Sequence, residues 1–156
     1  MFMTDKTIKY LIIFSFIQFY LIGFFLRENI EQDFINFTWP AILSFKNNFI
    51  STLINYGNIG EGSPPLFHIL NAYLNPFTFS QIAFQGSITI ISIANVLIFA
   101  KIIEEKFEFP KIESFLYASV FLILPFFRSS AYWGLTENIG WLFLLVSIHK
   151  YIIFKK

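Results

Sequence analysis

Four apolar runs limit what this chain can fold into: 8–26 (IKYLIIFSFIQFYLIGFFL), 82–103 (IAFQGSITIISIANVLIFAKII), 112–127 (IESFLYASVFLILPFF) and 139–154 (IGWLFLLVSIHKYIIF). A helix crosses a hydrocarbon core of ~30 Å with about 20 apolar residues, because it satisfies every backbone polar group internally. The first two runs are long enough. The last two reach only about 24 Å at the helical rise, so they cross if flanking residues snorkel or the bilayer thins. In the third, a broken or re-entrant helix at Pro125 competes with a straight crossing. Only 13% of the residues are charged while 56% are hydrophobic and 21% aromatic, against about 25% charged in soluble domains. The expected fold is all-α: a polytopic membrane protein of about four transmembrane helices, forming a single membrane domain over 1–156.

Charge and cysteine content exclude several function classes. A net charge of +1 without a basic face or tail argues against nucleic acid as a partner. The absence of cysteine removes disulfides, thiolate nucleophiles and zinc–thiolate sites. The run at 8–26 is longer than a signal core, and FFLRENIEQ after it lacks a small-x-small cleavage site, so it is expected to stay as an anchor. No ionisable residue falls at the centre of a run; His149 and Lys150 lie towards one end, and the mid-run polar residues are neutral, such as Gln85 and Asn95. Carriers and proton pumps usually need ionisable groups at mid-depth, so a transporter is disfavoured.

Lysine and arginine positions set an expected orientation. With the N-terminus cytoplasmic, Lys6, Lys9, Lys101, Lys106, Lys111, Lys150, Lys155 and Lys156 lie inside, and only Arg27, Lys46 and Arg128 outside. The connection 27–81 then forms a large outer loop. Within it, 39–56 (WPAILSFKNNFISTLINY) has its apolar residues on one half of a helix and Asn47, Asn48, Ser51, Thr52 and Asn55 on the other, the pattern of an amphipathic helix lying in the membrane interface. The turn GNIGEGS follows, then a short helix from PPLFHIL with Ser63 as N-cap and a stop at NPF, 75–77.

The ionisable residues left outside the membrane are few, and each has a bland and a sharp reading. Glu31 and Asp33 sit where the first run leaves the bilayer; they are either solvated carboxylates or a general base whose pKa is raised by apolar neighbours. Glu61, between two glycines ahead of a helix start, is a loop carboxylate favoured by the helix dipole or a ligand-binding group. His68 is a packing residue with one satisfied nitrogen or a ligand-binding side chain. Arg128 is an interfacial anchor or a fixed donor to a lipid-linked phosphate. Glu137 opens the fourth run. A divalent metal ion held by Asp33, Glu61 and Glu137 suits hard oxygen ligands, but their spacing is not diagnostic.

One span, an acidic outer loop carrying Asp33-Phe34, a surface helix, SPPLFHIL and a long span, in that order, resemble the start of the membrane-embedded C-fold glycosyltransferases. These are the mannosyl- and arabinosyltransferase-like enzymes that use dolichyl- or undecaprenyl-phosphate sugars. The start of the fourth run, Glu137 ahead of an aromatic-rich helix, also looks like that fold. The pattern differs in having Gln32 before Asp33 where the family has an acidic pair, which leaves the base between Asp33 and Glu31. It differs too in stopping after four runs, so an N-terminal part of a longer enzyme is expected. The resemblance implies transfer of a sugar from a polyprenyl phosphate to a glycan, lipid or protein acceptor at the outer face, in a bacterial inner membrane rather than the endoplasmic reticulum. By that likeness Asp33 or Glu31 is catalytic, while Arg128, Glu137, Glu61 and His68 bind substrate. A non-catalytic membrane subunit that binds lipid or partner helices is the alternative.

Overall fold

The computed structural model describes residues 4–26, 32–59 and 64–154, and all regular structure among them is helical. The eight α-helices are α1 (Asp5–Phe25), α2 (Trp39–Asn47), α3 (Phe49–Ile54), α4 (Pro65–Leu74), α5 (Gln81–Phe107), α6 (Lys111–Ser119), α7 (Pro125–Trp133) and α8 (Glu137–Phe154). Two of them, α1 and α5, are long and apolar enough to cross a membrane, and a third crossing exists if α6 and α7 count as one bent span. That is fewer than the expected number of about four.

The third run is broken where its proline sits. A 3₁₀ turn, Val120–Ile123, leads to Leu124 in extended conformation, and α7 restarts at Pro125 with a bend of 69°. Proline supplies no N–H and restricts the residue before it to extended backbone, so the break follows from one residue. At the other end of α7, Gly134 adopts φ 74°, and Leu135 N–H closes back on Ser130 O at 2.9 Å. This is a glycine-dependent helix stop.

The connection between α1 and α5 corrects a second expectation. Residues 39–56 are not one helix, because Asn48 is extended (φ −154°, ψ 98°) and caps α3 by accepting from Ser51 N–H at 3.1 Å. Asparagine competes for backbone donors in this way, so it splits helices it was expected to join. Upstream, Phe34–Thr38 form a π-turn in which Trp39 N–H reaches Phe34 O. The turn lies directly before Pro40, whose ring would crowd a regular helix.

α5 is the hub, packing against α8, α6 and α7, while α1 packs on α6 and α2 on α4. Half of α5's most apolar window is buried but only 17% of α1's, so α1 presents most of its apolar surface outward. Two cores result. One lies inside the bundle around Tyr20, Phe24, Val96, Leu122 and Phe127. The other sits under the helices of the α1–α5 connection, around Phe34, Ile42, Phe45, Phe67 and Phe84. Tyr73 OH to Phe45 O (2.7 Å) and Lys46 Nζ to Thr78 O (3.3 Å) hold this loop together. The apolar residues Ile50, Leu53 and Ile54 of α3 remain exposed.

The helix ends pair consistently. Lys9 at the start of α1 bridges Glu113 at the start of α6 (2.9 Å), and Glu105 near the end of α5 meets His149 in α8 (3.2 Å). At the opposite end, Phe24 of α1 packs on Tyr132 of α7.

Candidate functional site

At this second end an aromatic wedge joins the α1–α5 connection to the α7–α8 connection. Phe34 stacks on Phe84 at the start of α5 (5.8 Å between centroids, 17° between planes), and Trp39 lies 6.0 and 5.8 Å from these rings. Gly134 is pressed against the pair: a methyl group on its Cα would sit 2.8 Å from Phe84 Cε1 and 3.3 Å from Phe34 Cε2. Asp33 directly precedes Phe34, and Glu137 follows Gly134 by three residues, so the wedge brings both carboxylates to one end of the bundle.

Asp33 is exposed and directly precedes the π-turn. Glu137 is half-buried at the first turn of α8, and one of its carboxylate oxygens is enclosed without a hydrogen-bond partner. The helix dipole favours its charge. Leaving a buried acceptor unpaired is costly, so an incoming hydroxyl or cation would be stabilised there.

Arg128, half-buried in α7, lies at this end too. Its guanidinium carbon lies 4.4 Å from the Phe19 ring centroid, and its Nε donates to the Tyr132 hydroxyl at 3.4 Å. Tyr132 in turn donates to the Tyr20 carbonyl. The Ser92 hydroxyl donates to Thr89 O at 2.7 Å, so in its contact with the Tyr20 hydroxyl it accepts. A planar cation stacked and bonded in this way is fixed in direction. Gly23 makes the seat possible, since a Cβ there would fall 2.7 Å from Tyr132 Oη and 3.0 Å from Arg128 Nη2.

His68 belongs to the loop's core. It is 2% exposed, its Nδ1 pairs with the Tyr56 hydroxyl at 2.7 Å, and its ring packs edge-on against Phe67. Burial pushes its pKa down to about 4, opposed more weakly by the Pro64 backbone; burial also raises that of Tyr56. A neutral, enclosed imidazole fits the packing reading made from the sequence. Glu31 and Glu61 lie outside the described residues. Among the described residues no three histidine or carboxylate groups come together to hold a metal.

Sequence reasoning passed over one feature of this region. Gln85, Thr89, Ser92 and Asn95 form a buried polar stripe along α5, running from the wedge towards mid-helix. Asn95 Nδ2 donates to Asn138 O (2.8 Å), and Asn138 Nδ2 to Ser130 Oγ (2.9 Å). The signal was present in the 4-3-3 spacing, which puts these residues on one helix face.

No family model matches the chain, and comparison with curated proteins and with solved structures gives no match either. What the protein does is therefore a question for its geometry and chemistry.

Proposed function

We propose that this chain is a glycosyltransferase, or the membrane part of one, that moves a sugar from a polyprenyl-phosphate carrier to a glycan, lipid or protein acceptor at the outer face of the membrane. One observation carries the reading: the Phe34–Phe84–Gly134 wedge gathers the connections bearing Asp33 and Glu137 at the end of the bundle where Arg128 is fixed. Four crossings complete it, with α1, α5, the bent α6–α7 pair and α8 running alternately and the N-terminus inside. The eight-to-three distribution of basic residues supports this sidedness.

The roles follow from charge development. Asp33, or Glu31 in its place, takes the acceptor's proton as the sugar carbon gains oxocarbenium character. The departing phosphate gains negative charge, and Arg128, already held over Phe19, stabilises it without reorganising. Glu137 receives a sugar hydroxyl on its unpaired oxygen. The exposed apolar residues of α3 lie along the path of the lipid tail.

The second reading is a non-catalytic membrane subunit that binds lipid or partner helices. The observation in its favour is that His68 spends its polar atoms inside the loop's own core.

Asp33→Asn, assayed in the protein as its host makes it with lipid-linked sugars, is expected to slow transfer roughly 10²–10⁴-fold with membrane insertion unchanged. Transfer at the wild-type rate refutes Asp33 as the base, and the same change at Glu31 tests the other carboxylate. A cysteine at Asn58 is expected to react with an impermeant thiol reagent from outside; protection there overturns the orientation.

A further inference from the structure

The opposite end of the bundle holds a second candidate. The first turns of α1 and α6 enclose a groove of about 510 Å³ lined by Lys6, Tyr10, Ile13, Lys111, Ile112 and Phe115. Its composition is graded, with two ammonium groups at helix starts and aromatic and aliphatic side chains between them. Ile13 is buried and Phe115 half-buried, while both lysines are exposed.

The charge balance of this corner leaves those lysines free. Lys9 takes up both neighbouring carboxylates, Asp5 at 2.8 Å and Glu113 at 2.9 Å. Of the other acids at this end, Glu104 and Glu105 near the end of α5 are engaged by Lys101 and His149, and Glu108 at its C-cap forms no ion pair with Lys6 or Lys111. Among the described residues Lys6 and Lys111 have no carboxylate partner. α6 adds to the positive field, because its first turn points into the same corner and no side chain caps it. A basic groove between apolar helices at the level where two candidate spans begin has the chemistry of an anionic lipid headgroup site.

We propose that this groove binds one anionic phospholipid of the surrounding bilayer. Its phosphate lies between Lys6 and Lys111, and the glycerol end of its acyl chains rests on Tyr10, Ile13 and Phe115. A soluble anion would use the lysines but not the apolar floor, which is why a lipid is the fitting occupant. The site is remote from Asp33, Arg128 and Glu137 and stands whether or not the transferase reading does.

Native mass spectrometry of the detergent-solubilised protein with phosphatidylglycerol or phosphatidylcholine tests it. The wild-type protein is expected to retain phosphatidylglycerol in preference, and the Lys6→Gln/Lys111→Gln double variant to lose about thirtyfold of that retention, two near-surface lysines being removed. Lys106→Gln takes a charge from the same end of the bundle outside the groove and is expected to change retention by less than about twofold. Glycerol phosphate, the headgroup without chains, is expected not to displace the lipid. Wild-type retention by the double variant overturns the site. An equal loss in Lys106→Gln means general surface charge instead of a groove. Displacement by glycerol phosphate at concentrations equal to the lipid's means a free-phosphate site instead of a lipid site.

Discussion

Replacing Gly134 by alanine tests the wedge most directly, because two separate costs act at one atom. The residue adopts φ 74°, and a side chain in that left-handed region costs about 1–2 kcal/mol. The new methyl group also falls 2.8 Å from Phe84 Cε1 and 3.3 Å from Phe34 Cε2. Neither ring has free space, since Phe34 and Phe84 are both fully buried and stacked on each other. Overpacking of this kind costs about 1–3 kcal/mol, so Gly134→Ala is expected to destabilise by about 2–5 kcal/mol in all. Gly140 is the internal control: it lies in the first turns of α8, and a Cβ there meets nothing within 4 Å. Gly140→Ala is therefore expected to be neutral or to stabilise by up to about 1 kcal/mol through reduced chain entropy. Reversible SDS unfolding in mixed micelles, followed by tryptophan fluorescence, measures both. A Gly134→Ala protein within about 0.5 kcal/mol of wild type, or the same shift in both variants, would show that the wedge does not hold the two connections together.

Two further outcomes follow from the same geometry. Gly23→Ala is expected to push Tyr132 and Arg128 from their seat. Under the proposed function this lowers kcat/KM for the lipid-linked sugar roughly tenfold to a hundredfold, while Gly86→Ala, whose nearest neighbour is Phe24 Cζ at 4.0 Å, leaves it unchanged. Equal rates in the two variants would remove Gly23 from the argument. The buried His68 gives the α1–α5 connection a pH dependence. Its folded pKa of about 4 lies below the unfolded value of about 6.5, so stability is complete above pH 6.5. It falls as the pH drops from 6.5 to 4, where only the unfolded chain takes the proton, and levels off below. The full loss is about 3 kcal/mol. Hydrogen exchange in α4 compared with that of His68→Gln isolates this contribution, and parallel pH profiles in the two proteins would rule it out.

Part of this was legible in the chain. The runs at 8–26 and 82–103 became α1 and α5 nearly as drawn, because continuous apolar sequence of that length has one stable arrangement in hydrocarbon. The helix at PPLFHIL and the break at Pro125 were visible in the prolines. The split at Asn48 was not, since amphipathic periodicity continues through it and only the local competition of the Asn48 side chain for Ser51 N–H decides it. Of the candidate site, Arg128 and Glu137 could be named from their places at the ends of apolar runs, but nothing in the sequence says that Phe19 lies under the guanidinium or that Gly23 leaves room for it. The polar stripe on α5 was present in the spacing of residues 85, 89, 92 and 95, yet it gains meaning only when Asn138 and Ser130 are seen to face it.

The sequence by itself determined that this protein is helical and marked the segments of α1 and α5 as long and apolar enough to cross a membrane. Both follow from local requirements: an apolar run must close its own hydrogen bonds, and a proline must interrupt them. Tertiary structure alone decided that the connections at Asp33 and Glu137 share an end, that His68 is enclosed, and that Lys9 takes two carboxylates and leaves Lys6 and Lys111 uncompensated. These are contacts between residues up to about a hundred positions apart. They depend on which helix faces pack together, and no local pattern records that choice.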